Sequence, residues 1–444
     1  MSGFLFKITN LAMIFSLMVV SYMSFHIVSG FLFKVAHISI NFISAATTQH
    51  PPARIQNDVL VEVPHDVKKF LPPTKLMKRK IQHARRQQKG PMDENIDDLE
   101  VPNLELPDGS LFNLFDNKKP GDRMIILGSK RGLKIVSRSK ILLTDGTFKS
   151  APKSIKEKWY QVFVIHAQFM ETGEIYPSLF CLMQHRKREN YVELYSELKK
   201  MIFEKGWDFE VMKPGGKMYM DMELANKNAC KECLNDPEVC VCYFHLCGIT
   251  NKCIVDIGLR KLVFTSPIFN HHCRMINALA TVPLKYVQKA FEKLQSHFET
   301  IKSSSLPIFE YWEKGLVKGY IVEETRTRIP PKWKPEEWNI YKKIIKKEET
   351  STCKLEGWHN KLDKILMKPH PSFQEFCQVL MGEWVRIDFE LDHLASGYTR
   401  DDLKFKACTQ EEKRNLRIYN VAVSVNDFHS IIDYLDAMAI ASKK

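Results

Sequence analysis

The chain has 444 residues, 44% of them hydrophobic, which is enough for a sizeable buried core and excludes a chain disordered over most of its length. Its 65 lysines and arginines against 52 acidic residues leave a formal charge of +13, favouring polyanionic partners such as nucleic acid or an anionic membrane surface. The 11 cysteines are an odd number, and seven of them crowd between Cys230 and Cys273 rather than spreading as a disulfide framework, which points to a reducing compartment.

Residues 1–46 form a hydrophobic N-terminal segment. Within it, 11–33 carries no charged side chain and is bracketed by Lys7 and Lys34. At ~1.5 Å per helical residue it is long enough to cross a bilayer core of roughly 30 Å. As a signal anchor it would keep the basic stretch that follows on the cytosolic side. The other readings are a secretory signal cleaved near Ala45 and Ala46, for which the apolar stretch is long, a buried apolar helix, and a stretch outside the functional protein. Residues 47–122 read as a charged linker, broken by Pro51, Pro52, Pro64, Pro72 and Pro73. Its basic part, 75–89, offers Lys78, Arg79, Lys80, Arg85 and Arg86 as DNA-binding candidates, and an acidic part at 92–106 follows. A helix gripping phosphates is one outcome for such a basic run, and a solvated tether is the commoner one.

Regular periodicity begins at Arg123. A short apolar run at 124–128 precedes a short helix at 129–139, and a β-rich stretch at 141–144 ends on Asp145 and Gly146. Strands at 160–166 and 176–183 follow, separated by Glu171, Thr172 and Gly173, which suit a hairpin turn. Val192, Leu194, Leu198 and Ile202 give 191–204 a helical spacing, 217–220 is a brief strand delivering Asp221, a helix starts near Leu224, and 241–246 reads as a fifth strand. The order β, β, β, α, β, α, β predicts an α/β protein. The expected fold is an RNase H-like mixed sheet flanked by helices, interrupted by a mostly helical insertion before the last catalytic helix. Residues 123–247 are then the first part of the core, 248–346 the insertion, 347–392 the end of the core and 393–444 a C-terminal extension. Inside the insertion 286–301 and 309–314 read as helices. A helix early in which Glu356 lies, EGWHNKLDKIL, puts Trp358, Leu362, Ile365 and Leu366 on one face, and a shorter helix at 373–385 follows.

Breaking a phosphodiester needs an attacking oxygen, a leaving oxygen and neutralisation of the phosphate, which two divalent ions held by carboxylates supply. The first and fourth strands of this fold lie side by side, so Asp145 and Asp221 would share one edge of the sheet, with a third carboxylate from a nearby helix. Each residue alone has a plainer reading. An Asp-Gly pair after a strand is commonly a turn, Asp221 is suited to cap the helix from Leu224, and a lone Glu356 is a surface glutamate. Together, in this fold order, they form a candidate site. Oxygen ligands suit Mg2+ or Mn2+.

The runs TDGTF (144–148), QVFVIHA (161–167), DMELA (221–225), CYFH (242–245), WNIY (338–341) and EGWHN (356–360) resemble the catalytic domain of Mutator-like element (MULE) transposases in order and spacing, over 123–384. The resemblance implies a DDE triad of Asp145, Asp221 and Glu356, which would be both catalytic and ligands for two Mg2+ or Mn2+ ions. It further implies DNA cleavage and strand transfer, a homo-oligomer that pairs two DNA ends, and a nuclear location, against membrane anchoring through 11–33. Cys242 and His245 match the family's C-x-x-H pair, to which a structural role or a hand in DNA engagement is ascribed. Read from spacing alone, Cys230, Cys233, Cys240, Cys242, His245 and Cys247 could instead assemble a tetrahedral zinc site. Two features depart from the family. Ser351, Thr352 and Cys353 stand where a Thr-Asn-Asn run is usual, and the hydrophobic stretch stands where a zinc-finger DNA-binding module is usual, with only His50, Pro51 and Pro52 like the tail of one. The alternative function is therefore a catalytically inactive, transposase-derived DNA- or protein-binding factor. A third reading is a membrane-anchored protein whose basic linker meets anionic lipid.

Overall fold

The computed structural model describes residues 95–154, 156–348, 353–366, 369–396, 409–424 and 430–443, all within the unit Asp93–Lys444. The segment 11–33, the candidates Lys78, Arg79, Lys80, Arg85 and Arg86, and the residues Ser351 and Thr352 lie outside the described residues. Among the described residues no helix is long and apolar enough to cross a membrane.

The protein is α/β, built on a seven-stranded mixed sheet flanked by helices. The strands are β1 (Asn113–Asp116), β2 (Met124–Gly128), β3 (Ile141–Thr147), β4 (Gln161–Gln168), β5 (Ile175–Met183), β6 (Lys217–Met220) and β7 (Glu238–Val241). They lie in the order β1-β2-β5-β4-β3-β6-β7. β3, β4 and β5 form an antiparallel meander. Its β4–β5 turn is closed by Gly173, at φ +72°, whose amide donates to the Phe169 carbonyl at 2.7 Å. β6 runs parallel to β3, and β7 parallel to β6. Parallel neighbours need a crossover, and α2 (Arg188–Phe203) and α3 (Leu224–Cys233) occupy the β5–β6 and β6–β7 connections. β2 and β4 read as nearly continuous apolar runs because both of their faces are covered. Between β2 and β3 runs α1 (Lys130–Arg138), started by Ser129, whose hydroxyl accepts from the Gly132 amide at 2.9 Å.

Tyr191 and Tyr195 of α2 are fully buried against one face of the sheet. The Tyr191 ring meets Phe163 edge to face at 5.2 Å. The Tyr195 hydroxyl donates to Asn226 of α3 at 2.6 Å, and Asn226 in turn donates to the Thr144 hydroxyl at 3.4 Å.

Three expectations need correction. The stretch 95–122, expected to be the end of a linker, is packed: Ile96, Leu99, Leu104, Leu106 and Phe112 are buried, β1 pairs with β2, and the buried Arg123 guanidinium grips Asp116 at 2.7 Å. The fifth strand of the predicted series is 238–241, not 241–246. Cys242 turns the chain, and 243–246 opens the helix α4 (Tyr243–Asp256), so the expected boundary at 247 falls inside that helix. The helix expected at 373–385 continues to Ala395.

The region after β7 is mostly helical. It contains α5 (Arg260–Thr265), α6 (Pro267–Asn277), α7 (Val287–Thr300), α8 (Pro307–Trp312), a small hairpin of β8 (Tyr320–Val322) and β9 (Thr327–Ile329), α9 (Pro335–Trp338) and α10 (Tyr341–Lys346). Its core is aromatic: Phe269, Phe291, Phe298, Phe309, Trp312 and Trp338 are buried. Then come α11 (Cys353–Leu366) and α12 (Phe373–Ala395), followed by α13 (Thr409–Ser424) and α14 (Ile431–Ala441). The C-terminal helices pack on this helical region, with the Tyr434 hydroxyl donating to the Thr281 carbonyl and His271 paired to Asp436 at 2.6 Å.

Candidate functional site

The parallel ladder between β3 and β6 pairs Leu143 with Tyr219. Two residues further along the chain stand Asp145, inside β3, and Asp221, the first residue after β6. Residues two apart on a strand share a face, and neighbouring strands lie ~4.8 Å apart. The two residues therefore stand at equivalent positions relative to the β3–β6 ladder, Asp145 near the carboxyl end of β3 and Asp221 just beyond that of β6. Neither has its plainer reading. Asp145 and Gly146 are inside β3, opposite Val164 and Phe163, rather than in a turn. The residue that precedes α3 as its cap is Glu223, not Asp221. Gly146 has a local cause of its own, since a Cβ there would come within 2.5 Å of the Gln161 side-chain oxygen.

Helix α11 lies over the face that carries Asp145. Leu355 packs with Leu143, Tyr219 and Cys240. Trp358 stacks on Phe180 at 5.4 Å and meets the buried His166 edge to face at 5.8 Å. These contacts seat Glu356 in the first turn of α11, with its charge acting on Asp145, and bring His359 Nδ1 to 3.6 Å from Asp145 Oδ2. His245, in the first turn of α4, acts electrostatically on Asp145, Asp221 and His359. The structure thus brings Asp145, Asp221, Glu356 and His245 into one electrostatic neighbourhood. Sequence reasoning had not assigned His359 a role there, although it lies in the EGWHN run.

Burial dominates the charges. It pushes the Asp145 carboxyl up to about 7, the negative charges of Asp221 and Glu356 adding to the rise while His245 and the Gly146 amide oppose it. Asp221 is also raised, chiefly by burial, against the pull of His245 and Arg186. Burial drives His359 down to about 4, so near neutrality its ring is uncharged and its approach to Asp145 is not an ion pair. The His245 Nδ1 and His359 Nε2 atoms are buried without a hydrogen-bond partner.

Further polar groups line the chain beside Asp221. Burial and the Asp221 charge push Glu223 up to about 7. Its carboxylate accepts from the Tyr191 hydroxyl at 2.9 Å, and that hydroxyl accepts from the Gln161 amide at 2.8 Å. Arg186 Nε stands 4.0 Å from Glu223 Oε1.

The donor chemistry fits a hard divalent cation. Two buried carboxylates with raised pKa values destabilise one another, and a cation held between them would relieve both. Among the described residues no three His, Cys, Asp or Glu side chains stand grouped as a ready metal-binding set. The cysteines are not gathered for zinc either. Cys230 and Cys233 lie on α3, Cys240 faces the Leu355 cluster and Cys242 precedes α4. Burial holds Cys230 protonated, with its thiol pushed up to about 12.

Comparison with protein-family models finds no match, and comparison with curated proteins finds none.

Proposed function

We propose that this protein is a DNA transposase of the Mutator-like, DDE type, with an RNase H-like core that cleaves a phosphodiester and transfers the freed strand. The support begins with topology: the order β5-β4-β3-β6-β7, antiparallel through the meander and parallel beyond it, is the arrangement such a core requires. The observation that carries the reading is the equivalent register of Asp145 and Asp221, beneath the helix that bears Glu356. Asp145 and Asp221, with Glu356, are the residues that would hold Mg2+ or Mn2+. Bound there, the ions would neutralise the phosphate and activate the attacking oxygen. The chain's own residues do the rest. Trp358 fixes the position of α11, uncharged His359 leaves the negative potential at Asp145 intact, and the Gln161–Tyr191 pair holds Glu223, whose backbone amide donates to Asp221. Transfer between two DNA ends calls for a homo-oligomer, and the resemblance to the transposase family further implies a nuclear location.

The test is cleavage of DNA carrying the element ends by the full chain. Asp145→Asn and Asp221→Asn should each abolish magnesium-dependent cutting and leave DNA binding unchanged. Either variant cutting as well as the parent would end the proposal. A parent that binds DNA and never cuts it would favour the inactive, transposase-derived binding factor.

A further inference from the structure

Phe148, Tyr160 and Arg186 meet at the sheet edge where Asp145 and Asp221 emerge. Phe148 follows β3, Tyr160 precedes β4 and Arg186 lies just beyond β5. The register places Thr147 opposite Val162 and Gln161 opposite Met183, so these three strand ends converge. The two rings pack edge to face at 5.6 Å and 87°. The Arg186 guanidinium lies 5.8 Å from the Phe148 centroid and 5.2 Å from that of Tyr160. Phe148 is 46% and Tyr160 39% exposed, so neither ring is spent on the core. Arg186 ties the group to the acidic site, since its charge acts on both Asp221 and Glu223.

Exposed rings beside a guanidinium offer flat apolar faces and a phosphate donor in one place, which is what a nucleotide strand with unstacked bases needs. Bases inside an intact duplex are stacked on one another and cannot present their faces to such a surface. The cation supplies charge complementarity to the strand, on a chain of formal charge +13. We propose that Phe148, Tyr160 and Arg186 form a platform for unpaired bases of a DNA strand beside the acidic site. The preferred substrate is then DNA that is single-stranded or unpaired next to the scissile phosphate. This rests on the reading of the site as one that acts on DNA.

The test is binding by the full chain in EDTA, where no cleavage occurs. Fluorescence anisotropy compares a short single strand, a duplex with an overhang, and a blunt duplex of the same sequence. Phe148→Ala and Tyr160→Ala should each weaken binding to the first two by about tenfold and to the blunt duplex by less than about twofold. Phe148→Tyr and Tyr160→Phe, which keep the rings, should retain the parent's preference and show that the alanine effects are not a folding defect. A 2-aminopurine in the overhang should be quenched by the parent and less so by the alanine variants. Unchanged single-strand binding, or equal losses on all three DNAs, would overturn the platform, and so would a parent that holds a peptide but no single strand. Those results leave the magnesium-dependent cleavage test untouched. A platform that works in a protein that never cuts would count against the transposase reading alone.

Discussion

Replacing Asp145 by asparagine should stabilise the metal-free protein, and more so at alkaline pH. The Asp145 side chain is 6% exposed, and its carboxyl is lifted from 3.8 to about 7. A raised carboxyl pKa contributes stability that is fully present below the unfolded value of 3.8 and is lost as pH rises through about 7. At pH 8, holding the charged form in the fold costs about 4 kcal/mol relative to the unfolded chain, at ~1.4 kcal/mol per pH unit. At about pH 5 the folded group is protonated, and the cost falls to about 2 kcal/mol. Asparagine keeps the oxygen that accepts from the Gly146 amide at 2.9 Å. Urea denaturation in EDTA should therefore show Asp145→Asn more stable than the parent by up to about 4 kcal/mol at pH 8 and by about half of that at pH 5. Glu223, pushed up to about 7, loses its contribution in the same direction. His359 acts oppositely, its contribution being complete above 6.5 and lost as pH falls through about 4. Both effects are present in parent and variant and cancel in the comparison. Magnesium or manganese should stabilise the parent at pH 8 and leave the variant almost unmoved. An asparagine variant no more stable than the parent at pH 8 would refute the account of Asp145 as a charge held against burial and its neighbours.

Trp358→Ala should cost about 3–5 kcal/mol in urea melts, because the ring is stacked on Phe180, and cleavage should fall with it as α11 loosens. Trp358→Phe should cost less than half as much, since the indole N–H has no hydrogen-bond partner to lose. Gly146→Ala should cost about 1–3 kcal/mol by overpacking, as the new methyl displaces the Gln161 oxygen 2.5 Å away. Equal stability of that variant and the parent would show that Gln161 yields freely.

The clearest elements in the sequence were those whose pattern and boundary residues agree. β2 and β6 match their predicted bounds, and Ser129 caps α1. Where two periods compete in one apolar run, the reading slipped. The stretch from Val239 to Leu246 suits a strand and a helix alike, and the switch at Cys242 depends on pairing with β6, which is remote in sequence. β1 was hidden for a similar reason: NLFD has no alternation of its own and is a strand because β2 offers it an edge. In the candidate site, the motifs pointed to the three acids and to His245. Gln161, Tyr191 and Arg186 are polar or aromatic residues on separate elements, and only the packing of α2 and the strand ends unites them around Glu223.

The seat of α11 on the sheet also bears on how the chain is made. Asp145 and Asp221 emerge from the ribosome early, while the helix that covers them follows only after the whole helical insertion has been synthesised. Until then Leu143, Tyr219 and Cys240 lack the Leu355 that covers them in the finished fold. A nascent or C-terminally shortened chain therefore exposes an apolar strip beside bare acids, which invites chaperones and aggregation. Closure of the site is a late event, and products that end before α11 are expected not to cut DNA whatever their folded content.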